Sequence, residues 1–128
     1  MAVRNNFEID FSVKYSFDSE LIKKMQGKKV IIYGAGKIGR RFQKEISQYE
    51  NIVQIGWVDK NLKGKTIGGY EIISLEMCLK REFDYVLVAV QQEKLYNEIK
   101  NEIFAYVMEH RIIWARPTIE PWTRIIEL

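Results

Sequence analysis

The sequence predicts an α/β domain of three layers, a parallel sheet of about five strands flanked by helices on both faces. Three observations predict it. Short β-branched apolar runs alternate with segments of helical periodicity along the middle of the chain. The run Lys28-Lys29-Val30-Ile31-Ile32-Tyr33 is apolar at consecutive positions and stops at glycine, as a strand buried on both faces requires. Gly34-Ala35-Gly36-Lys37-Ile38-Gly39 then leads into a helical pattern reaching about Tyr49, where Ile38, Phe42 and Ile46 share one face.

The remaining elements follow in order. Asn51 to Val58 reads as a second strand, ending at Asp59. A polar stretch, Lys60 to Lys65, precedes Thr66 to Ile73, where Gly68-Gly69 permits a tight turn into a short third strand. Ser74 caps a short helix with Glu76 in its first turn. Asp84 to Val90 is the most apolar run and a central strand. A helix from about Gln92 to Met108 carries Leu95, Ile99 and Ile103 along its buried stripe, and Arg111 to Trp114 closes the sheet. Right-handed crossovers between neighbours give the strand order 3-2-1-4-5.

Two flanks lie outside this core. Phe7, Ile9, Phe11, Val13 and Tyr15 alternate with mostly polar residues, a half-buried strand pattern with one sticky face. Asp18 or Ser19 caps a short helix ended by Gly27. The tail holds both prolines, Pro117 and Pro121, and is expected to be irregular before Trp122-Thr123-Arg124-Ile125-Ile126. The expected division is an arm with a short helix at 1–27, a core domain at 28–114 and a tail at 115–128.

Composition excludes several function classes. The 128 residues, 47% hydrophobic and 29% charged, suit one globular domain. No apolar run approaches the roughly 18 to 20 residues of a membrane span. Met1 to Asn6 lacks the apolar run of a secretion signal. Cys78 cannot form an internal disulfide, and His110 stands alone as a histidine. The expectation is a cytoplasmic protein without membrane insertion. The net charge of +3 does not argue for nucleic acid, and the aromatics lack the paired stacking pattern of an RNA-binding sheet. Residues 28–64 hold eight basic and three acidic side chains, whereas 65–128 hold eight and ten. The positive excess sits beside the glycine motif, where an anionic ligand would require it.

Gly34-x-Gly36-x-x-Gly39 is weak alone, but it lies between a strand and a helix. Asp59 follows twenty residues after Gly39, at the end of the next strand. That constellation suits a nucleotide. Gly34 allows the turn, Gly36 lets a phosphate reach backbone N–H groups, and Gly39 permits close packing of the helix. Asp59 would accept hydrogen bonds from ribose hydroxyls and repel a 2′-phosphate, with Lys60 softening that repulsion. Lys37, Arg40 and Arg41 oppose the helix dipole; they either balance a bound anion or form one solvated face with Arg41 near Glu45.

Other motifs carry less. Tyr96 and Lys100 match the Tyr-x-x-x-Lys of short-chain dehydrogenases, but the nearest upstream serine is Ser74, so the match reads as coincidence. His110 reads as a helix-end residue and Cys78 as a packed one. No catalytic set is visible, so no catalytic residue is assigned.

From about Lys28 to Trp114 the sequence resembles small bacterial Rossmann domains that accompany enzymes of cell-surface polysaccharide synthesis. The likeness is carried by Val30 to Arg40, by Ile55-Gly56-Trp57-Val58-Asp59, by Gly64 to Ser74 and by Asp84 to Val90. Such domains head nucleotide-sugar dehydratases and sugar O-acyltransferases, or are fused to glycosyltransferases and methyltransferases. The resemblance implies NAD, or alternatively a UDP-sugar, held by Gly34, Ala35, Gly36, Lys37, Ile38, Gly39, Asp59 and Lys60. It also implies a fused or separate glycosyltransferase or dehydratase as partner. It does not fix an activity. The expected role is a nucleotide-binding module without turnover of its own. The alternatives are a nucleotide-sugar oxidoreductase or dehydratase, complete only with further sequence or as an oligomer, and a ligand-sensing regulatory domain. The sticky face of the arm predicts a homodimer.

Overall fold

The computed structural model describes the backbone of residues 7–10, 13–121 and 124–127 and the side chains of 15–118. In chain order the elements are β1 (Phe7–Asp10), β2 (Val13–Phe17), α1 (Ser19–Met25), β3 (Lys29–Tyr33) and α2 (Lys37–Ile46). Then come β4 (Val53–Val58), β5 (Thr66–Ile67), β6 (Tyr70–Glu71), α3 (Leu75–Leu79), β7 (Tyr85–Val88) and α4 (Glu93–Ile103). The chain ends with β8 (Ile112–Trp114), β9 (Pro117–Pro121) and β10 (Arg124–Glu127). Phe11, Trp122, Thr123 and residues 1–6 lie outside the described residues.

The central sheet is parallel, in the order β4-β3-β7-β8. This is the expected order with its outermost strand cut down. Gly68 and Gly69, both at positive φ, turn the chain back after two residues, so β5 and β6 pair with each other. Only Ile73 reaches the sheet, as one parallel bridge to Val58. Four full strands therefore stand where about five were predicted.

The strands bury both faces. Val30 and Ile32 of β3 pack with Ile22 and Met25 of α1 and with Ile38, Phe42 and Ile46 of α2. Ile31 and Tyr33 point the other way, into Cys78 of α3 and Ile99 and Ile103 of α4. The three layers follow from this alternation, which is why the strand runs are apolar throughout. Asp84 fixes the start of β3, its Oδ2 accepting from the Lys29 N–H at 2.8 Å. Asp18 caps α1 by accepting from the Glu20 N–H at 3.0 Å, and Ser74 caps α3 by accepting from Met77 N–H at 3.2 Å.

Two expectations need correction. α4 ends at Ile103 instead of about Met108. Beyond it the chain turns at 104–106: Val107 stays buried at the spacing of Ile99 and Ile103, whereas Phe104, Tyr106 and Met108 are 53%, 73% and 67% exposed, so the apolar spacing outlasts the helix itself. Leu95, in the first turn of α4, is also exposed and is not part of the buried stripe.

The tail is likewise not irregular at its prolines. β9 pairs antiparallel with β2 and β10 with β1, and the two pairings keep one offset, Val13 opposite Pro121 and Phe7 opposite Glu127. Proline lacks an N–H and is tolerated where that position faces away from the partner strand. Pro117 and Pro121, four residues apart, occupy the same phase of the ladder. The arm therefore pairs with the tail of its own chain. Its inner end packs on the domain, the Phe17 ring meeting Phe42 edge-on at 5.0 Å.

Candidate nucleotide site

The site candidates converge at the carboxyl ends of β3 and β4, beside β7. β3 pairs with β4 on one side and with β7 on the other, which leaves a crevice where the chain's winding reverses. The loop from Gly34 to Gly36 lies there, between β3 and α2. Gly34 has φ +117, and a Cβ on it would stand 2.7 Å from the Ala89 carbonyl oxygen of the β7 segment. A Cβ on Gly39 would stand 1.9 Å from the Gly34 carbonyl oxygen, so α2 meets the loop only because Gly39 has none. Gly36 differs from both. Its φ is −77°, and a Cβ there would meet nothing within 4 Å.

β4 holds the loop in place. The Gly34 N–H donates to the Val58 carbonyl at 2.8 Å, and the buried Trp57 Nε1–H donates to the Gly34 carbonyl at 2.7 Å. Asp59 Oδ2 accepts from the Ala35 N–H at 2.7 Å, while Oδ1 accepts from Asn61 N–H at 2.9 Å. Arg40 Nε donates to the Ala35 carbonyl at 3.0 Å. Asp59 thus braces the loop, and each oxygen of its ionised form retains acceptor capacity. The sequence places Trp57 in the strand without its hold on the loop; the signal for it is that a tryptophan in a buried strand needs an acceptor for its N–H.

No side chain caps α2, whose N-cap is Gly36. The N-cap makes no side-chain hydrogen bond to the first-turn N–H groups, and Gly36 and Lys37 at this end are exposed. Ala35 and Ile38 turn their side chains into the core, so they can offer a ligand only backbone. The Lys37 ammonium lies 5.4 Å from the centre of the Tyr15 ring, and Arg41 lines a shallow groove with Tyr15 and Phe17.

A second cleft adjoins the loop, between the end of β3 and the α4 face carrying Leu95, Glu98, Ile99 and Glu102. Asp59, Lys60 and Val90 complete its rim. Lys60 Nζ pairs with Glu102 Oε2 at 3.0 Å, and the Tyr33 hydroxyl donates to Glu102 Oε1 at 3.4 Å. Burial pushes the Tyr33 phenol up to about 12, helped by the charge and hydrogen bond of Glu102 and by the charge of Asp59.

A family model described as C2185-like, N-terminal, matches residues 26–113. The chain belongs to this family. The matched segment takes in β3 through most of β8 and omits the ribbon made by the two ends. No curated protein matches the sequence. Among solved structures, UDP-D-quinovosamine 4-dehydrogenase from Vibrio fischeri aligns at 24% identity over 62% of this chain and 73% of that one, with a TM-score of 0.49. The crystal structure of RSP in complex with beta-NADH aligns at 16% identity over 76% of this chain, with a TM-score of 0.51. The alignment spans 57% of RSP. At such identities the likeness is one of fold, and the fold is Rossmann-like.

Other candidates in the C2185-like domain are spoken for. Tyr96 stacks on Trp114 at 4.7 Å, whereas Lys100 pairs with Glu109 at 2.9 Å, so the two residues serve separate contacts. Cys78 is buried between α3 and β4, and burial raises its thiol pKa. His110 lies in a short 3-10 turn after α4. Among the described residues no cluster of metal-ligating side chains forms, and no helix is long and apolar enough to cross a membrane.

Proposed function

We propose that this C2185-like domain is a nucleotide-binding module that takes NAD, its pyrophosphate resting on the Gly36 end of α2 and its adenosine ribose on Asp59. One observation carries the reading. Gly34 and Gly39 are required by the fold itself, through positive φ and through contact; Gly36 is required by neither. A glycine at an open, uncapped helix N-terminus is explained by close approach of an anionic ligand to backbone N–H groups. The placement of Asp59 and Lys60 beside the loop supports the same ligand, as does a solved protein of like fold in complex with beta-NADH.

A UDP-sugar is the alternative occupant, since it too presents a diphosphate and a ribose. The reading extends to a cytoplasmic homodimer whose chemistry is supplied by a fused or separate glycosyltransferase or dehydratase of polysaccharide synthesis. β1 and β2 each pair on one side only among the described residues, which leaves edges for a second copy.

Calorimetric titration with NAD, NADP and UDP-N-acetylglucosamine tests the site. Wild type should bind NAD. Asp59→Ala, which removes an ionised acceptor costing about 1.5 to 3 kcal/mol, should weaken binding roughly ten- to a hundred-fold. Gly36→Val should weaken it at least as much while leaving the fold intact. Unchanged affinity in both variants would remove the loop from the site.

A further inference from the structure

Lys60 is the one cation among the residues lining the cleft beside Asp59, against the carboxylates of Asp59, Glu98 and Glu102. A lysine directly after the ribose-binding acid is well placed to receive a 2′-phosphate, and would admit NADP. Here it is not left free. Its Nζ lies 3.0 Å from Glu102 Oε2. The other oxygen of Glu102 accepts from the hydroxyl of Tyr33, the last residue of β3, whose ring is buried against α4. The carboxylate is thereby anchored from the core side and turned toward Lys60.

We propose that Glu102 determines which dinucleotide the site accepts: by occupying Lys60 it withholds the only cation of the cleft from a 2′-phosphate, and the site selects a free 2′-hydroxyl. The inference rests on the NAD reading above. An exposed ion pair contributes little to folding, so the role of this one is sought in charge placement instead. A 2′-phosphate carries between one and two negative charges and would enter beside three carboxylates with Lys60 already paired. A 2′-hydroxyl carries none and donates to Asp59.

The test is Glu102→Gln, which keeps shape and length, titrated with NAD and with NADP. The Kd for NADP should fall about ten-fold relative to that for NAD. Adding Lys60→Met to Glu102→Gln should cancel the gain, which a purely structural role of Glu102 would not produce. Ultraviolet titration should show the Tyr33 phenol of Glu102→Gln moving back toward its ordinary value, confirming that the carboxylate had been engaged. If wild type and Glu102→Gln bind NAD with the same NADP-to-NAD ratio, the selectivity role of Glu102 is wrong and the NAD reading stands. A gain that survives Lys60→Met also defeats the proposal, since Lys60 would not be its agent. Failure of wild type to bind either dinucleotide overturns both.

Discussion

Gly36, which caps α2, and Gly39, in its first turn, are expected to fail in opposite ways when replaced. At Gly39 any side chain drives a Cβ into the Gly34 carbonyl, so Gly39→Ala forces α2 and the loop apart. Overpacking of this kind costs about 1 to 3 kcal/mol, which denaturant unfolding will register as a lower midpoint. Gly36→Val meets open space and should unfold within about 0.5 kcal/mol of wild type, even as it loses the ligand. Equal destabilisation by the two would mean that Gly36 serves the fold after all. Tyr33 offers a test in pH. Its phenol has an ordinary value of 10.0 and is pushed up to about 12 in the folded chain. The unfolded chain therefore loses this proton first. The stability attached to Tyr33 is present below pH 10.0 and drains away as pH rises toward about 12. Tyr33→Phe should flatten that decline, and an unaltered slope would deny the shift. The glycine spacing and Asp59 were legible as letters. The Tyr33–Glu102–Lys60 chain was not, because its members lie 69 positions apart at the widest and meet only across two elements.

Among the elements, α2 depends on the loop before it and on the sheet beneath. Its apolar stripe follows the helical period, and Phe42 at 0% exposure is the largest side chain in it. Phe42→Ala should cost about 3 to 5 kcal/mol, a large part of the 5 to 15 kcal/mol that typically holds a domain together. Thermal unfolding would show it, and a loss under 1 kcal/mol would mean the site refills. This stripe was readable because periodicity is a local property. α4 was overextended for the same reason seen from the other side. Val107 keeps the four-residue spacing of Ile99 and Ile103 and is buried, so the period runs on past the last helical residue, while Phe104, Tyr106 and Met108 lie exposed. The third strand was also too generous, since β-branched residues around Gly68-Gly69 suit a hairpin as well as a sheet strand.

For the molecule as a whole, the pairing of arm with tail changes what oligomerisation would involve. An arm with no partner would seek another chain; here, among the described residues, each strand already has one partner and one open side. Light scattering should show a dimer at micromolar concentration, converted to monomer when residues 1–10 and 124–128 are both removed, with β2 and β9 kept. A monomer at high micromolar concentration, or a dimer indifferent to the trimming, refutes the ribbon as the interface.

Sequence by itself determined the layered α/β class, the strand order of the core, the cap at Ser74, a cap at Asp18 or Ser19, and the glycine loop between strand and helix. Each is written in neighbouring residues, through alternation, periodicity or a side chain reaching a backbone group two or three positions on. Tertiary structure alone decided that Trp57 clasps Gly34, that Glu102 occupies Lys60, and that the proline-bearing tail becomes a strand. These contacts join residues far apart in the chain. Which distant groups meet depends on how the strands and helices pack, and no local pattern encodes that packing.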